Sequence, residues 1–137
     1  MKIATRFPIA VHTLLCIDYF DGAERTTSDF IAGSVNVNPV VIRQVLQKLK
    51  AAGLVEVRQG QRGAHLGRPL EDITLLDVFQ AVEAVNGSLF DFHDSPNPDC
   101  PVGRHIKPIL GQKLDAAQKA LEDELATTTL ADLAAQV

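Results

Sequence analysis

The segment NVNPVVIRQVLQKLKAAG, residues 36–53, carries the signals of a complete helix. Asn38 can cap its first turn, and Pro39 suits the first helical position because the N–H that proline lacks would be unpaired there. Gly53 stands where a glycine commonly ends a helix. Apolar residues recur at i, i+3, i+4 and i+7 and predict one core-facing side, made of Ile42, Val45, Leu46 and Leu49.

The opposite face of this helix suits the recognition of DNA bases. It consists of Val40, Arg43, Gln44 and Gln47, with Lys48 on its flank. Arginine and glutamine carry paired hydrogen-bonding groups that match the edges of guanine and adenine in the major groove. An ordinary solvated face is the alternative, and the residues of this helix alone leave both interpretations open.

Two helices are predicted upstream. Helical spacing of apolar residues predicts a largely buried first helix over Thr5 to Tyr19, marked by Phe7, Val11, Leu14 and Leu15. DGAER, residues 21–25, breaks it, and a short second helix follows, ending near Ser34, with candidate caps Thr26, Thr27 and Ser28. Two short helices joined by a tight turn favour a helix-turn-helix, which inserts its second helix into the major groove with the N-terminus first.

The next segment, LVEVRQGQRGAHLGRP at residues 54–69, predicts a β-hairpin that would form a wing. At its tip, Gly60 and Gly63 can adopt backbone angles that other residues rarely adopt, and Arg62 would project from that tip. Such an arm can reach phosphates or a narrow minor groove. A nucleotide-binding loop is a weaker alternative, because the segment lacks the GxGxxG and GxxxxGK[ST] spacings and precedes no helix.

Positive charge is concentrated in these segments, although the chain has a net charge of −4. Between Arg43 and Arg68 the only acid among the basic residues is Glu56, whereas acids prevail beyond Glu71. A local basic face matters more for phosphate binding than the net charge does. With 137 residues, 46% of them hydrophobic, the chain can also build a real core and is not expected to be disordered.

The composition indicates the compartment. No apolar run reaches the length needed to span a bilayer, and the first residues lack the pattern of a signal peptide. Cys16 and Cys100 are too few for a disulfide framework, and neither belongs to a pair with metal-ligand spacing. We therefore expect a cytoplasmic protein with no membrane partner.

The second half predicts a helix, a long loop and a longer helix. An amphipathic helix from about Thr74 to Glu83 is expected to pack on the first helix, and a Pro- and Asp-rich loop follows it. From His105 a helix resumes, with an apolar stripe close to heptad spacing. This stripe favours dimerisation, although it could instead pack against the rest of its own chain. It consists of Leu110, Leu114, Ala117, Leu121 and Leu125. A short last helix bearing Leu130 and Leu133 is expected, capped from within Thr127 to Thr129.

Most of the chain resembles the IscR/NsrR/CymR family of small dimeric bacterial winged-helix transcription regulators. The resemblance rests on residues 1–15 (MKIATRFPIAVHTLL), on the block NPVV to QAVE at 38–83, and on CPVG at 100–103. It implies that Thr5 and Arg6 approach the DNA backbone, that Arg43 and Gln44 read bases, and that the wing tip is Gln59 to Arg62. Arg43 stands at a position that is acidic in the cluster-binding branch, so the operator cannot be carried over.

Cys100 is the departure from the family that matters most. Cluster-binding relatives place three cysteines in the loop before the dimer helix, whereas this loop has one, with His93 and His105 nearby. That donor set is not the cysteine-rich type that holds an iron-sulfur cluster, so no cofactor and no metal are expected. Cys100 could instead be a redox-sensing thiol, favoured as thiolate by Arg104 and the following helix, or it could be an inert loop cysteine. Cys16 is expected in the core.

The sequence also offers two weaker alternatives to DNA binding, a thiol enzyme and a protein-binding module. A thiol enzyme could use Cys100 with His105, or a carboxylate pair of Asp94 and Asp99, but neither pair has an orienting third group. A winged helix that binds protein would more often display apolar anchors than Arg43 and Arg62 on these faces. DNA binding therefore remains the favoured function.

These observations predict a mainly α fold with a small β-hairpin. The predicted parts are a winged helix-turn-helix domain at 1–84, a loop and candidate sensor region at 85–104, and a dimerisation helix with a C-terminal helix at 105–137. The predicted function is a homodimeric regulator, a repressor, that binds a two-fold operator in double-stranded DNA, has no catalytic residue and has an unknown effector. Its predicted DNA-binding residues are Thr5, Arg6, Ser28, Asn38, Val40, Arg43, Gln44, Gln47, Lys48, Arg58, Gln59, Gln61 and Arg62.

Overall fold

The structure, a computed structural model, describes residues 5–83 and 89–137. The chain divides into two compact units, residues 1–84 with 125–137, and residues 85–124. In chain order the elements are α1 (Arg6–Tyr19), α2 (Ser28–Val35), α3 (Pro39–Ala51), β1 (Val55–Glu56), β2 (His65–Leu66), a 3₁₀ turn (Leu70–Asp72), α4 (Leu75–Val82), α5 (Pro101–Leu125) and α6 (Leu130–Ala134). No helix in the described ranges is long and apolar enough to cross a membrane.

The predicted helix-turn-helix is confirmed as α2 and α3. The Thr27 hydroxyl accepts a hydrogen bond from the Phe30 N–H at 3.2 Å, and the Asn38 side chain accepts one from the Val40 N–H at 2.9 Å. Both bonds satisfy N–H groups that the helix itself leaves unpaired. After α3, Gly53 has a φ of +77°, which glycine adopts without steric cost.

The core lies between α1, α3 and α4, but α1 buries a different side from the expected one. Its buried face is Ala10, Thr13, Leu14, Cys16 and Ile17. Of the four residues predicted to be buried, only Leu14 is; the others are half-buried. Apolar residues surround most of α1, so periodicity alone could not decide which side meets the core. The predicted packing of the fourth helix on α1 is confirmed by Phe7, whose ring meets that of Phe79 edge-on at 5.5 Å.

The predicted hairpin is present, with very short strands. Only two residue pairs are formed, Val55 with Leu66 and Glu56 with His65. Additional contacts fasten the returning strand to the loop before α2. The Thr26 hydroxyl donates to the Ala64 carbonyl at 2.7 Å, and the Ala64 N–H donates to the Thr26 carbonyl at 2.9 Å.

Gly63 permits this attachment. Its φ of +91° is rarely adopted by other residues, and a Cβ there would lie 2.9 Å from the Thr26 backbone. Gly60, at the tip, has a φ of +77° but no atom within 4 Å of its hypothetical Cβ. The two glycines thus have different roles: Gly60 shapes the tip, while Gly63 allows close approach to Thr26.

The sequence predicts that the last helix belongs with the dimerisation helix, but it belongs to the first unit. The Leu130 N–H donates to the Ile73 carbonyl at 2.8 Å, and the Leu75 N–H donates to the Thr128 carbonyl at 2.9 Å. Leu130 is fully buried. These backbone bonds depend on residues distant in sequence, which the local pattern could not indicate.

The second unit consists of a loop and α5. The helix begins at Pro101 rather than at His105, because proline is well suited to a first helical position. The described part of the predicted 85–104 loop therefore ends at Cys100, and residues 84–88 lie outside the described ranges. Leu89 donates its N–H to the Gln118 side chain at 3.0 Å, so this loop contacts α5. On α5 itself, the hydrogen bond and charge of Asp123 raise the pKa of Lys119.

Candidate nucleic-acid interface

The predicted base-reading face of α3 is exposed. Packing of Ile42, Val45 and Leu49 into the core turns the opposite side of the helix outward. Its exposed residues are Val40, Arg43, Gln44 and Gln47. Within the described part of the chain, the side chains of Arg43 and both glutamines have no hydrogen-bond or ion-pair partner, so their donors and acceptors are available to a ligand.

The wing presents a second group of exposed polar residues. Gln59, Gln61 and Arg62 are exposed at its tip. The Arg58 guanidinium donates to the Glu56 carboxylate at 2.9 Å, which orients Arg58 along the strand. Because this ion pair is itself exposed, it contributes little to stability and leaves part of the guanidinium accessible.

Two clefts show which of these residues lie together. The smaller, of about 370 Å³, is lined by Ser28 of α2, Gln47 of α3 and Val57 of the wing, among others. The larger, of about 920 Å³, includes Arg58, Gln61 and Arg62. Thr26 and Thr27 line both clefts, so the start of α2, the exposed side of α3 and the wing adjoin one another.

Two basic residues of these clefts were absent from the predicted set. Arg25 lines the larger cleft beside Arg58 and Arg62, and Lys50 lines the smaller. Lys50 follows Gln47 by three residues and so shares its helix face, a spacing that could have indicated it. Nothing in the sequence indicated Arg25, because its position depends on the contact between Thr26 and the wing.

The larger cleft is mixed in charge rather than uniformly basic. Asp21 and Glu24 also line it, and the Asp21 carboxylate lies 4.0 Å from Nδ1 of His65. The acids lie in the loop between α1 and α2, whereas Arg58 and Arg62 extend from the wing. An anionic ligand would therefore be attracted mainly to the wing side of the cleft.

Two predicted contact residues, Arg6 and Lys48, lie near the C-terminal end of α4 instead of in these clefts, and a third, Thr5, adjoins Arg6. The Arg6 guanidinium is 4.0 Å from the nearly buried Glu83 carboxylate, and Thr5 precedes it at the start of α1. The half-buried Lys48 donates to the Val82 carbonyl at 3.4 Å. Cations at a helix C-terminus complement its partial negative charge. Asn38 uses its side-chain oxygen to cap α3.

Cys100 lies half-buried immediately before α5. The neighbouring Arg104 directs its Nε to the Pro98 carbonyl at 3.1 Å, and Nδ1 of His105 lies 2.7 Å from the Pro101 carbonyl. Across residues 5–83 and 89–137, no three His, Cys, Asp or Glu side chains are grouped so that they could hold a metal ion. A single thiol with these engaged neighbours does not fit an iron-sulfur cluster, which needs several thiolate ligands.

Comparison with known proteins shows a match over almost the whole chain. Residues 3–136 match the family model of Rrf2, described as iron-dependent transcriptional regulators. YwnA of Bacillus subtilis, provisionally named an HTH-type transcriptional regulator, is 41% identical over 131 residues, with 96% of each chain covered.

Solved structures agree with this match. One, provisionally described as a DNA-binding protein, is 36% identical, with a TM-score of 0.73 and coverage of 93% of this chain and 97% of that one. CymR, the global cysteine regulator of Bacillus subtilis, is 23% identical with a TM-score of 0.70, covering 100% and 98%, and at this identity shows the fold alone. The family resemblance and winged-helix fold are thus confirmed, and these relatives are regulators rather than enzymes.

Proposed function

The chain belongs to the Rrf2 family of transcriptional regulators, and we propose that it is a homodimeric repressor that binds a two-fold operator in double-stranded DNA. The observation that carries this proposal is the unpartnered polar face of α3, which adjoins the start of α2 and the wing. A protein-binding module would be expected to expose larger apolar anchors there than Val40 and Val57, the exposed valines of this surface. Occupation of an operator would block transcription, and the DNA partner would place the protein in the cytoplasm.

The exposed residues divide by chemistry into two groups. Arg43 and Gln44 have the paired groups that recognise base edges. Arg62 on the wing, together with Arg25 and Lys50 in the clefts, supplies charge toward phosphates. Arg6 and Lys48 would add charge near the end of α4 while also stabilising that end.

The proposed dimer rests on α5. This helix has 25 residues, and none of those described is buried. Ile109 and Leu110 are exposed, and Leu114, Leu121 and Leu125 are half-buried. A helix of this length with an unburied leucine stripe gains stability when a second copy covers the stripe.

We further propose that the protein acts without an iron-sulfur cluster, despite the iron named in the family description. In residues 5–83 and 89–137, Cys100 is not grouped with two further His, Cys, Asp or Glu side chains, which supports this proposal. Cys100 instead suits a redox-sensing role, because it is partly exposed immediately before α5, the helix on which the proposed dimer rests.

Replacement of Arg43 and Arg62 with alanine tests the two groups of contacts. Arg43→Ala should lose on the order of 1–3 kcal/mol of operator binding and little non-specific binding. Arg62→Ala should weaken binding to all DNA and reduce the salt slope by about one. The operator would first be selected from genomic fragments, and Lys113→Ala on α5 is the control. If each variant lost equal affinity for operator and random DNA, the assignment of Arg43 to bases and Arg62 to phosphates would be contradicted.

A charge in the leucine stripe tests the dimer. Leu114→Glu or Leu121→Glu should give monomers in sedimentation and abolish operator binding, because an unpaired buried charge costs several kcal/mol. Two-fold recognition needs two helices about 34 Å apart, which a monomer cannot supply. Gln112→Glu, which changes an exposed residue nearby, should remain dimeric. Wild-type protein that sediments as a monomer at micromolar concentration would refute the dimer.

Anaerobic reconstitution with iron and sulfide tests the cofactor proposal. The purified protein should be colourless and should gain no visible absorption, since one loop thiol cannot replace the thiolate ligands of a cluster. A known cluster-binding regulator treated in parallel is the control. Stable colour that Cys100→Ser abolishes would overturn this proposal while leaving the DNA-binding proposal intact.

A further inference from the structure

An exposed apolar side chain interrupts the polar face of α3. Val40 is 46% exposed, although the residues that share its face, Arg43 and Gln44, are polar. These two follow Val40 by three and four residues, a spacing that places all three side chains on one side of the helix. The face therefore offers an apolar contact beside its hydrogen-bonding groups.

The backbone at the start of α3 leaves the Val40 side chain as the group that can meet DNA. The Val40 N–H donates to the Asn38 side chain at 2.9 Å, and the Val41 N–H donates to the Asn38 carbonyl at 2.9 Å. Pro39, the first residue of the helix, has no N–H. A phosphate, a common ligand of helix N-termini, would therefore find these N–H groups already satisfied. Val40 can thus contribute an apolar contact but no backbone hydrogen bond.

The Val40 side chain is also stiff. Two methyl groups on Cβ leave a valine in a helix with one strongly preferred χ1 rotamer. The backbone of α3 therefore fixes the position of these methyl groups relative to Arg43 and Gln44. Because a stiff side chain has little rotational freedom to lose, its contact with a ligand costs little conformational entropy.

Base edges in the major groove offer one apolar partner. Thymine displays its 5-methyl group there, whereas the distinguishing groups of guanine, adenine and cytosine are hydrogen-bond donors and acceptors. In the minor groove, thymine shows only an acceptor. An exposed valine on a helix that lies in the major groove therefore matches thymine better than any other base.

We propose that Val40 determines specificity for a thymine in each half of the operator, by packing against the 5-methyl group of that base. The assignment rests on the proposed function, because it needs α3 to lie in the major groove, and it deepens that function by naming a base. One helix face then combines three kinds of contact. Arg43 suits guanine, Gln44 suits adenine and Val40 suits thymine.

Helix geometry limits where this thymine lies. Val40 and Arg43 are three residues apart, which corresponds to a rise of about 4.5 Å along α3. Successive base pairs are about 3.4 Å apart along DNA. The thymine should therefore lie about one or two base pairs from the guanine that Arg43 reads.

Replacement of thymine with deoxyuridine tests the contact, because it removes only the 5-methyl group. The selected operator is synthesised with deoxyuridine at one thymine position of the half-site at a time, and binding by the full-length protein is measured. At one position the dissociation constant should rise about fourfold per half-site, the effect of losing the burial of one methyl-sized group. Val40→Ala should be nearly insensitive to the same replacement, whereas Val40→Ile should remain sensitive.

Val57→Ala is the matched control. It also shortens an exposed valine of the proposed DNA-binding surface, but this valine belongs to the wing. A wing that contacts phosphates or the minor groove meets no thymine methyl group. Val57→Ala should therefore keep the sensitivity of the wild type to deoxyuridine, whatever its overall affinity. Circular dichroism establishes that each variant is folded.

Replacement of guanines with 7-deazaguanine, which lacks the N7 acceptor, locates the base read by Arg43. That guanine is the one whose replacement weakens binding by the wild type but not by Arg43→Ala, and the responding thymine should lie within the distance given above. The proposal would be overturned by a wild type that is insensitive to deoxyuridine at every thymine. It would also be overturned if Val40→Ala were as sensitive as the wild type, or if the responding thymine lay further from that guanine.

These outcomes are distinct from failure of the proposed function. They are measured on an operator that the wild-type protein prefers to random DNA, so each of them leaves sequence-specific binding intact. A wild-type protein that preferred no sequence to random DNA would contradict the proposed function, and the assignment of Val40 with it.

Discussion

The reciprocal hydrogen bonds between Thr26 and Ala64 determine where the wing lies. The hairpin has only two residue pairs of its own, and an isolated hairpin of this size is marginally stable in water. Its buried anchor, Thr26, lies just before α2, so the same segment holds both the wing and the start of the helix-turn-helix. Because of this attachment, Arg62 and Thr27 line the larger cleft together, and Gln47 and Ser28 line the smaller one.

The parts of this architecture that the sequence predicts are those specified by local signals. Asn38, Pro39 and Gly53 delimit α3 by chemistry that acts within one turn, and Gly60 shapes the wing tip in the same local way, whereas Gly63 acts through its contact with the distant Thr26. The side of α1 that is buried, the bond from Lys48 to Val82 and the place of Arg25 depend on residues far away in the sequence. Periodicity carries no information on these contacts when a helix is apolar on most sides.

This ambiguity of α1 has a structural consequence. One side of the helix, with Leu14 and Ile17, completes the core, while Phe7, Val11 and Leu15 remain half-buried and form the wall of a groove. Cys16 lies between the two sides and is buried, as the sequence predicts. Its bond to Ser34 connects α1 to α2, the first helix of the pair that carries the proposed DNA-binding surface.

Close approach of the wing to Thr26 positions the proposed DNA-binding surface. Gly63→Ala and Gly60→Ala both place an alanine at positive φ, but only the alanine at 63 meets the Thr26 backbone. Operator affinity should be measured for both variants where circular dichroism shows them folded. Gly63→Ala is expected to bind the operator about tenfold more weakly than Gly60→Ala, a difference equivalent to about 1.4 kcal/mol. Equal affinities of the two folded variants would contradict it.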